Sequence, residues 1–183
     1  MTKETPETET SPDYFLRSGE QTEITVNLQS ISQEFAGTAE EKIHMILQFL
    51  RRLKHNSENK DSVFRKRTAD QIVADEYVTG CTDDALAFIA LARACGIPTK
   101  YIETLDADWI KHGGRPIQGH VYAGVYINDE WILIDPAKRA FNVDIKNDNR
   151  VVLAEGLDSW DIGATDFETL AKISDDFRNR NNV

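Results

Sequence analysis

Cysteine is nearly absent from this chain: Cys81 and Cys95 are the two in 183 residues. Two thiols do not make a disulfide scaffold. If both lie on one helix they stand about 21 Å apart at ~1.5 Å rise per residue, beyond the roughly 7 Å a bridge can span, so both are expected free. Positive charge is also short, with 21 Lys and Arg against 31 Asp and Glu and a net charge of -10. That balance excludes a phosphate-backbone partner, because nucleic-acid affinity rests largely on Lys and Arg neutralising phosphates. Long apolar runs are missing, none approaching the ~20 residues of a membrane helix. The opening MTKETPETETSPDY has no apolar h-region. These absences predict a cytoplasmic protein with no membrane partner.

The same opening stretch is too polar to fold, so residues 1–14 read as a disordered tail and 15–183 as one domain. A 40% hydrophobic share with three Trp suffices for a single core at this length. No internal repeat or later linker interrupts it. The basic clusters RRLKH (Arg51 to His55) and RKR (Arg65 to Arg67) read as a solvated helix face and a solvated loop.

Thr followed by Glu or Gln three residues later marks helix starts at Thr38/Glu41, Thr68/Gln71 and Thr165/Glu168. After the first, Ile43, Ile46, Leu47, Leu50 and Leu53 recur at helical spacing and predict an amphipathic helix ending near Lys54. The second starts a short helix running toward Tyr77. The third opens a helix whose Phe167, Leu170, Ala171, Ile173 and Phe177 should dock on the domain. The segment after Cys81, ALAFIALARAC, leaves little polar surface on any side and predicts a buried central helix. Gly96 and Pro98 are its stop signals. Beyond them, TKYIETL, GHVYAGVYI and EWILIDP read as strands, the last two joined by a two-residue turn at Asn128-Asp129. Ile24, Val26 and Leu28 alternate, as in another strand.

Cys81 stands at the mouth of the central helix, where unpaired N–H groups and the positive end of the helix dipole favour thiolate over thiol. Asp83 and Asp84 follow closely, and their charges would oppose that ionisation. Such a nucleophile needs a base, and the base a third group to orient it. With a two-residue turn at Asn128-Asp129, Tyr126 pairs with Trp131 and Tyr122 with Asp135. His120 and Asp135 are then diagonal cross-strand neighbours on one face, with backbones roughly 7 to 8 Å apart. An odd-numbered turn would break that parity.

The string TADQIVADEYVTGCTDDALAFIALARACGIPTKYI, followed by GHVYAGVYINDEWILIDPAK, resembles the core of the transglutaminase-like superfamily over about residues 64–138. The motifs are a Gly-bounded Cys opening a helix, a Gly-Ile-Pro after it, a His starting one strand and a Trp-to-Asp-Pro run on the next. The resemblance implies a papain-like α+β fold, with the helix of the nucleophilic Cys packed on an antiparallel sheet. It implies a Cys-His-Asp triad of Cys81, His120 and Asp135 that attacks amide carbons through a thioester. The oxyanion would rest on the Cys81 N–H and an upstream side chain, Tyr77 or Gln71, while Tyr122 stands beside the base where the family often has Trp. Val121 and Thr99-Lys100 also depart from the commoner patterns. The β domains of calcium-dependent cross-linkers are missing, so their metal requirement does not transfer.

Cys95 fits a buried structural cysteine. His112, in a loop, makes a poor metal pair with His120, and the remaining ligands have no evident spacing. His44 and His55 belong to the first helix. Gly113-Gly114 lacks the strand-to-helix context of a phosphate loop. Leu157 to Phe167 reads as a packed turn with Thr165 as helix cap. The leading expectation is a cysteine protease or amidase, a cofactor-free hydrolase acting on a peptide or protein substrate rather than a cross-linking acyltransferase. The alternative is a catalytically silent protein-binding module on the same fold. A small-molecule acyltransferase would require an acyl-donor cofactor, and nothing in the sequence recognises a nucleotide.

Overall fold

A computed structural model describes residues 11–181. In chain order the elements are a 3₁₀ turn (Pro12–Leu16), α1 (Val26–Ser32), α2 (Ala39–Phe49) with a 3₁₀ extension (Leu50–Arg52), β1 (Lys54–His55), α3 (Lys60–Val63), α4 (Ala69–Ala74) and β2 (Tyr77–Val78). They continue with α5 (Cys81–Ala94), β3 (Thr99–Asp106), α6 (Ala107–His112), β4 (Gly119–Ile127), β5 (Glu130–Asp135), β6 (Ala140–Phe141), β7 (Arg150–Gly156) and α7 (Phe167–Asn181).

Every residue of α5 from Thr82 to Arg93 is buried, as its apolar sequence requires. Leu86, Phe88, Ile89 and Leu91 are fully enclosed, and at ~1.5–3 kcal/mol for each side chain removed from water these four alone match the net stability of a whole domain. The helix ends where glycine permits a left-handed turn. Gly96 has φ +77°, its N–H donates to the Arg93 carbonyl at 2.8 Å, and the Ile97 N–H donates to the Ala92 carbonyl at 3.0 Å. These are the two bonds of a Schellman stop. α5 lies between a layer of α1, α2 and α4 and the sheet strands β3 and β4. The sheet is antiparallel in the order β6-β5-β4-β3-β7. The outcome is the α+β arrangement expected from the sequence, with the cysteine helix as its centre.

Four segments differ from the sequence reading. Ile24 to Leu28 is not a strand: the Thr25 side chain accepts a hydrogen bond from the Leu28 N–H and caps α1. Leu28 and Ser32 face inward four residues apart while Val26 is 83% exposed, a helical rather than an alternating pattern. Of the expected tail, residues 1–10 lie outside the described residues, and Ser11 caps a 3₁₀ turn that buries Phe15 edge-on against Trp131. Thr165 does not cap α7. Asp166 does, its carboxylate accepting from the Thr169 N–H at 2.8 Å while Thr169 Oγ1 accepts from the Asp166 N–H at 3.0 Å. The fourth segment, RKR, is not a solvated loop, because Arg65 and Arg67 are 2% and 7% exposed and meet carboxylates brought in by distant elements.

Candidate active site

Cys81 is the first residue of α5 and is partly exposed. Gly80 before it offers no side chain to cap the helix, so the leading N–H groups of α5 stay free for a ligand. The two carboxylates that follow are each matched by a cation. Asp83 accepts from Arg67 at 2.6 Å and from the Thr79 N–H and hydroxyl at 2.8 and 2.9 Å. Asp84 has Arg139 at 2.8 Å, close but not aligned as a hydrogen bond, and burial holds its carboxyl up to about 6 in spite of that cation.

The β4–β5 hairpin places the other two residues. Asn128 and Asp129 both take positive φ, 52° and 64°, the signature of a two-residue type I′ turn. The ladder then runs from Ile127 opposite Glu130 to Ala123 opposite Ile134, the parity expected from the sequence. His120 Nε2 meets Asp135 Oδ2 at 2.9 Å, with side chains 15% and 1% exposed. Asp135 Oδ1 also accepts the Lys138 N–H at 3.0 Å. Burial pushes the Asp135 carboxyl up, but the bonds from His120 and Lys138 hold it below its usual value. Burial alone would depress His120, yet the hydrogen bond to Asp135 and the neighbouring Cys81 raise it to about 9. The imidazolium is therefore the form favoured at neutral pH. With Nε2 engaged by Asp135, Nδ1 is the ring nitrogen left to face the thiol.

Tyr122 lies against His120: its ring meets the imidazole edge-on at 4.8 Å and its hydroxyl donates to Asp148 at 2.7 Å. Burial and the Asp148 carboxylate push that hydroxyl well above its usual value, so it stays a neutral donor. Lys138 Nζ joins the same group, 2.9 Å from Asp148 and 3.6 Å from Asp135. The two proposed oxyanion side chains lie elsewhere. Gln71 is exposed and its amide oxygen accepts from the Thr68 N–H in the capping box of α4. Tyr77 packs its ring under the Arg67 guanidinium at 4.0 Å. Neither borders the cavity that opens at Cys81.

That cavity, about 360 Å³, is bounded by Cys81 and Thr82 on one side and by Gly119, the neighbour of His120, on another. Its walls are mostly apolar: Phe64, Pro116, Ile117, Phe167, Leu170 and Ala171. In its floor Arg65 Nη2 donates to Glu103 Oε2 at 2.7 Å, and the Tyr101 hydroxyl donates to the same oxygen at 2.7 Å. Glu103 sits where the β3–β7 register shifts, a bulge that re-aims a side chain. Sequence reasoning missed Arg65, Glu103 and the role of α7 as a cavity wall. A basic tripeptide between short helices carries no periodicity, and its acceptor stands 38 residues downstream. Among the described residues no three His, Cys, Asp or Glu side chains are grouped to hold a metal, and no helix is long and apolar enough to cross a membrane.

No curated protein matches the chain. A solved structure titled "a Putative Cysteine Protease from Cytophaga hutchinsonii" is similar with a TM-score of 0.66 and 20% identity, over 87% of this chain and 52% of that one. The chain thus spans about half the length of that relative, and the likeness is one of fold. The family model described as the Transglutaminase-like superfamily matches residues 29–136. With that match covering more than half of the chain, and a cysteine-led central helix packed on the antiparallel sheet that carries His120 and Asp135, the chain belongs to the transglutaminase-like superfamily.

Proposed function

We propose that the protein is a thiol hydrolase that cleaves peptide or related amide bonds through a thioester on Cys81, with a peptide or protein segment as substrate. The observation that carries this reading is the convergence of a helix-opening cysteine on a histidine that bonds a buried aspartate at 2.9 Å. That arrangement supports a nucleophile, base and orienting carboxylate in the order that acyl transfer requires. In the first step Cys81 Sγ, its proton already resting on the His120 imidazolium, forms a bond to the carbonyl carbon as the carbonyl π pair moves to oxygen. The oxygen then carries negative charge, and the Cys81 N–H at the uncapped start of α5 is positioned to stabilise it. The C–N bond breaks as His120 returns the proton to the leaving nitrogen. Water attacks the thioester carbon, giving one proton to His120, and the C–S bond breaks as the carboxylic acid leaves, which returns the sulfur beside a protonated His120. Cys81 is partly exposed, so water reaches the thioester, which favours hydrolysis over cross-linking.

The test is alkylation by iodoacetamide at pH 7, with mass spectrometry assigning the label, in the wild type and in His120→Ala. Cys95 is the internal control, since burial pushes its thiol up. Cys81 should label in preference to Cys95 and lose at least ~10-fold in rate without the histidine. A Cys81 that is inert, or indifferent to His120, would refute the enzyme and leave a protein-binding module. In that case Cys81→Ala should keep any partner.

A further inference from the structure

The cavity beside Cys81 has a chemical character that the catalytic trio does not explain. Its volume, about 360 Å³, sits near the lower end of the ~300–1,000 Å³ of small-ligand sites, enough for one large side chain and its backbone. The charges around it are largely cancelled. Arg65 and Glu103 neutralise each other in the floor, and Arg115 at the rim is held by Asp175 at 2.6 Å. Lys60 is exposed to water at the mouth. A charged side chain seated inside this space would lose its hydration against a floor whose charges are already paired, with Lys60 out in the water of the mouth, whereas an apolar one removes surface from water. One wall is built for such contact. Phe64 and Phe167 stack with ring centroids 3.8 Å apart and planes 6° from parallel, although Phe167 is 46% exposed. Leu170 and Ala171 follow one turn along α7, on the same side of the helix.

We propose that this cavity is the substrate side-chain subsite of the thiol hydrolase described above, and that it accepts one Leu- or Phe-sized apolar side chain from the residue next to the scissile bond. Phe64, Phe167 and Leu170 set that preference. The proposal rests on the thiol-hydrolase reading, and its test separates the two.

Peptidyl vinyl sulfones that differ in the residue next to the warhead (Gly, Leu, Phe, Glu or Lys) are reacted with the full chain, and the rate of Cys81 labelling is read by mass spectrometry. The Leu and Phe probes should label at least ~10-fold faster than the Gly probe, the order of discrimination an apolar pocket achieves, and the Glu and Lys probes no faster than Gly. Ala171→Phe, which fills the cavity, should collapse the Leu-to-Gly rate ratio toward unity. Phe167→Ala, at a half-exposed position the fold tolerates, should lower the Phe-to-Gly ratio. Equal rates across the series, a preference for Glu or Lys, or ratios unmoved in both variants would overturn the subsite. If iodoacetamide labelling proves independent of His120, the hydrolase reading falls by itself. The subsite is then still decided in Cys81→Ala by NMR: the Ala171 and Leu170 methyl signals should shift saturably with N-acetyl-phenylalaninamide and not with N-acetyl-glycinamide, and failure to shift overturns it.

Discussion

Replacing Asp135 by Asn tests the charge logic of the site while keeping its shape. The Asp135 carboxylate lies 2.9 Å from His120 Nε2, so at an effective dielectric constant of ~20 the attraction to an imidazolium is about 6 kcal/mol. Burial of the ring takes back much of that. The net result is a His120 pKa of about 9 in place of 6.5, which corresponds to about 3 kcal/mol, or ~2 kcal/mol once solvent screening at the open side of the site is allowed for. Asp135 and Cys81 share that figure. Asn at 135 removes the carboxylate charge and should lower the His120 midpoint by at least ~1 pH unit, equivalent to about 1.4 kcal/mol. The assay is NMR titration of the His120 ring in both proteins, with chemical denaturation from pH 5 to 10 alongside. Because the folded pKa lies above the unfolded one, the histidine's contribution to stability is fully present below about 6.5 and is lost as pH rises through about 9. The wild type should therefore lose up to ~2 kcal/mol over that window, and Asp135→Asn should show a flatter profile. A wild-type midpoint at or below 6.5, or one unmoved by the substitution, would refute the pairing.

The remaining predictions concern the framework and the rate. Catalysis through an imidazolium should fail as pH rises through about 9, giving kcat/KM an alkaline limb near that value; a flat profile to pH 10 would contradict it. Arg65→Met leaves the 1%-exposed Glu103 carboxylate without its cation and should cost ~3–5 kcal/mol in urea unfolding. The double variant with Glu103→Gln should recover much of that loss, and strict additivity would show that the pair does not act as a unit. Leu91→Ala, at a fully buried position of α5, should cost ~2–5 kcal/mol, measurable as a lower urea midpoint. Asp129→Gly relieves a side chain held at φ 64° and completes the Asn-Gly pair favoured in type I′ turns, so Tm should rise by the equivalent of ~0.5 kcal/mol.

The features legible in the sequence are those fixed by local chemistry or by parity. The run from Ala85 to Ala92 could only be a buried helix, since no face of it is polar, and Gly96 could end it because glycine alone enters the left-handed turn without strain. The two residues between Ile127 and Glu130 set which side chains stand opposite each other down both strands, and that parity by itself brings His120 to Asp135. What the tertiary structure decided depends on partners far apart in the chain. Arg65 and Arg67 become interior residues only because Glu103 and Asp83 are folded against them; in isolation a basic tripeptide is best solvated. Val26 to Ser32 is a helix because Thr25 caps it and α5 receives Leu28, neither of which alternation along the chain can register. The apolar wall beside Cys81 exists because α7, the last element of the described chain, returns to stack Phe167 on Phe64. A short stretch of sequence specifies its own hydrogen bonds and periodicity, whereas the environment of a charged or aromatic side chain is set by whatever the rest of the chain packs around it.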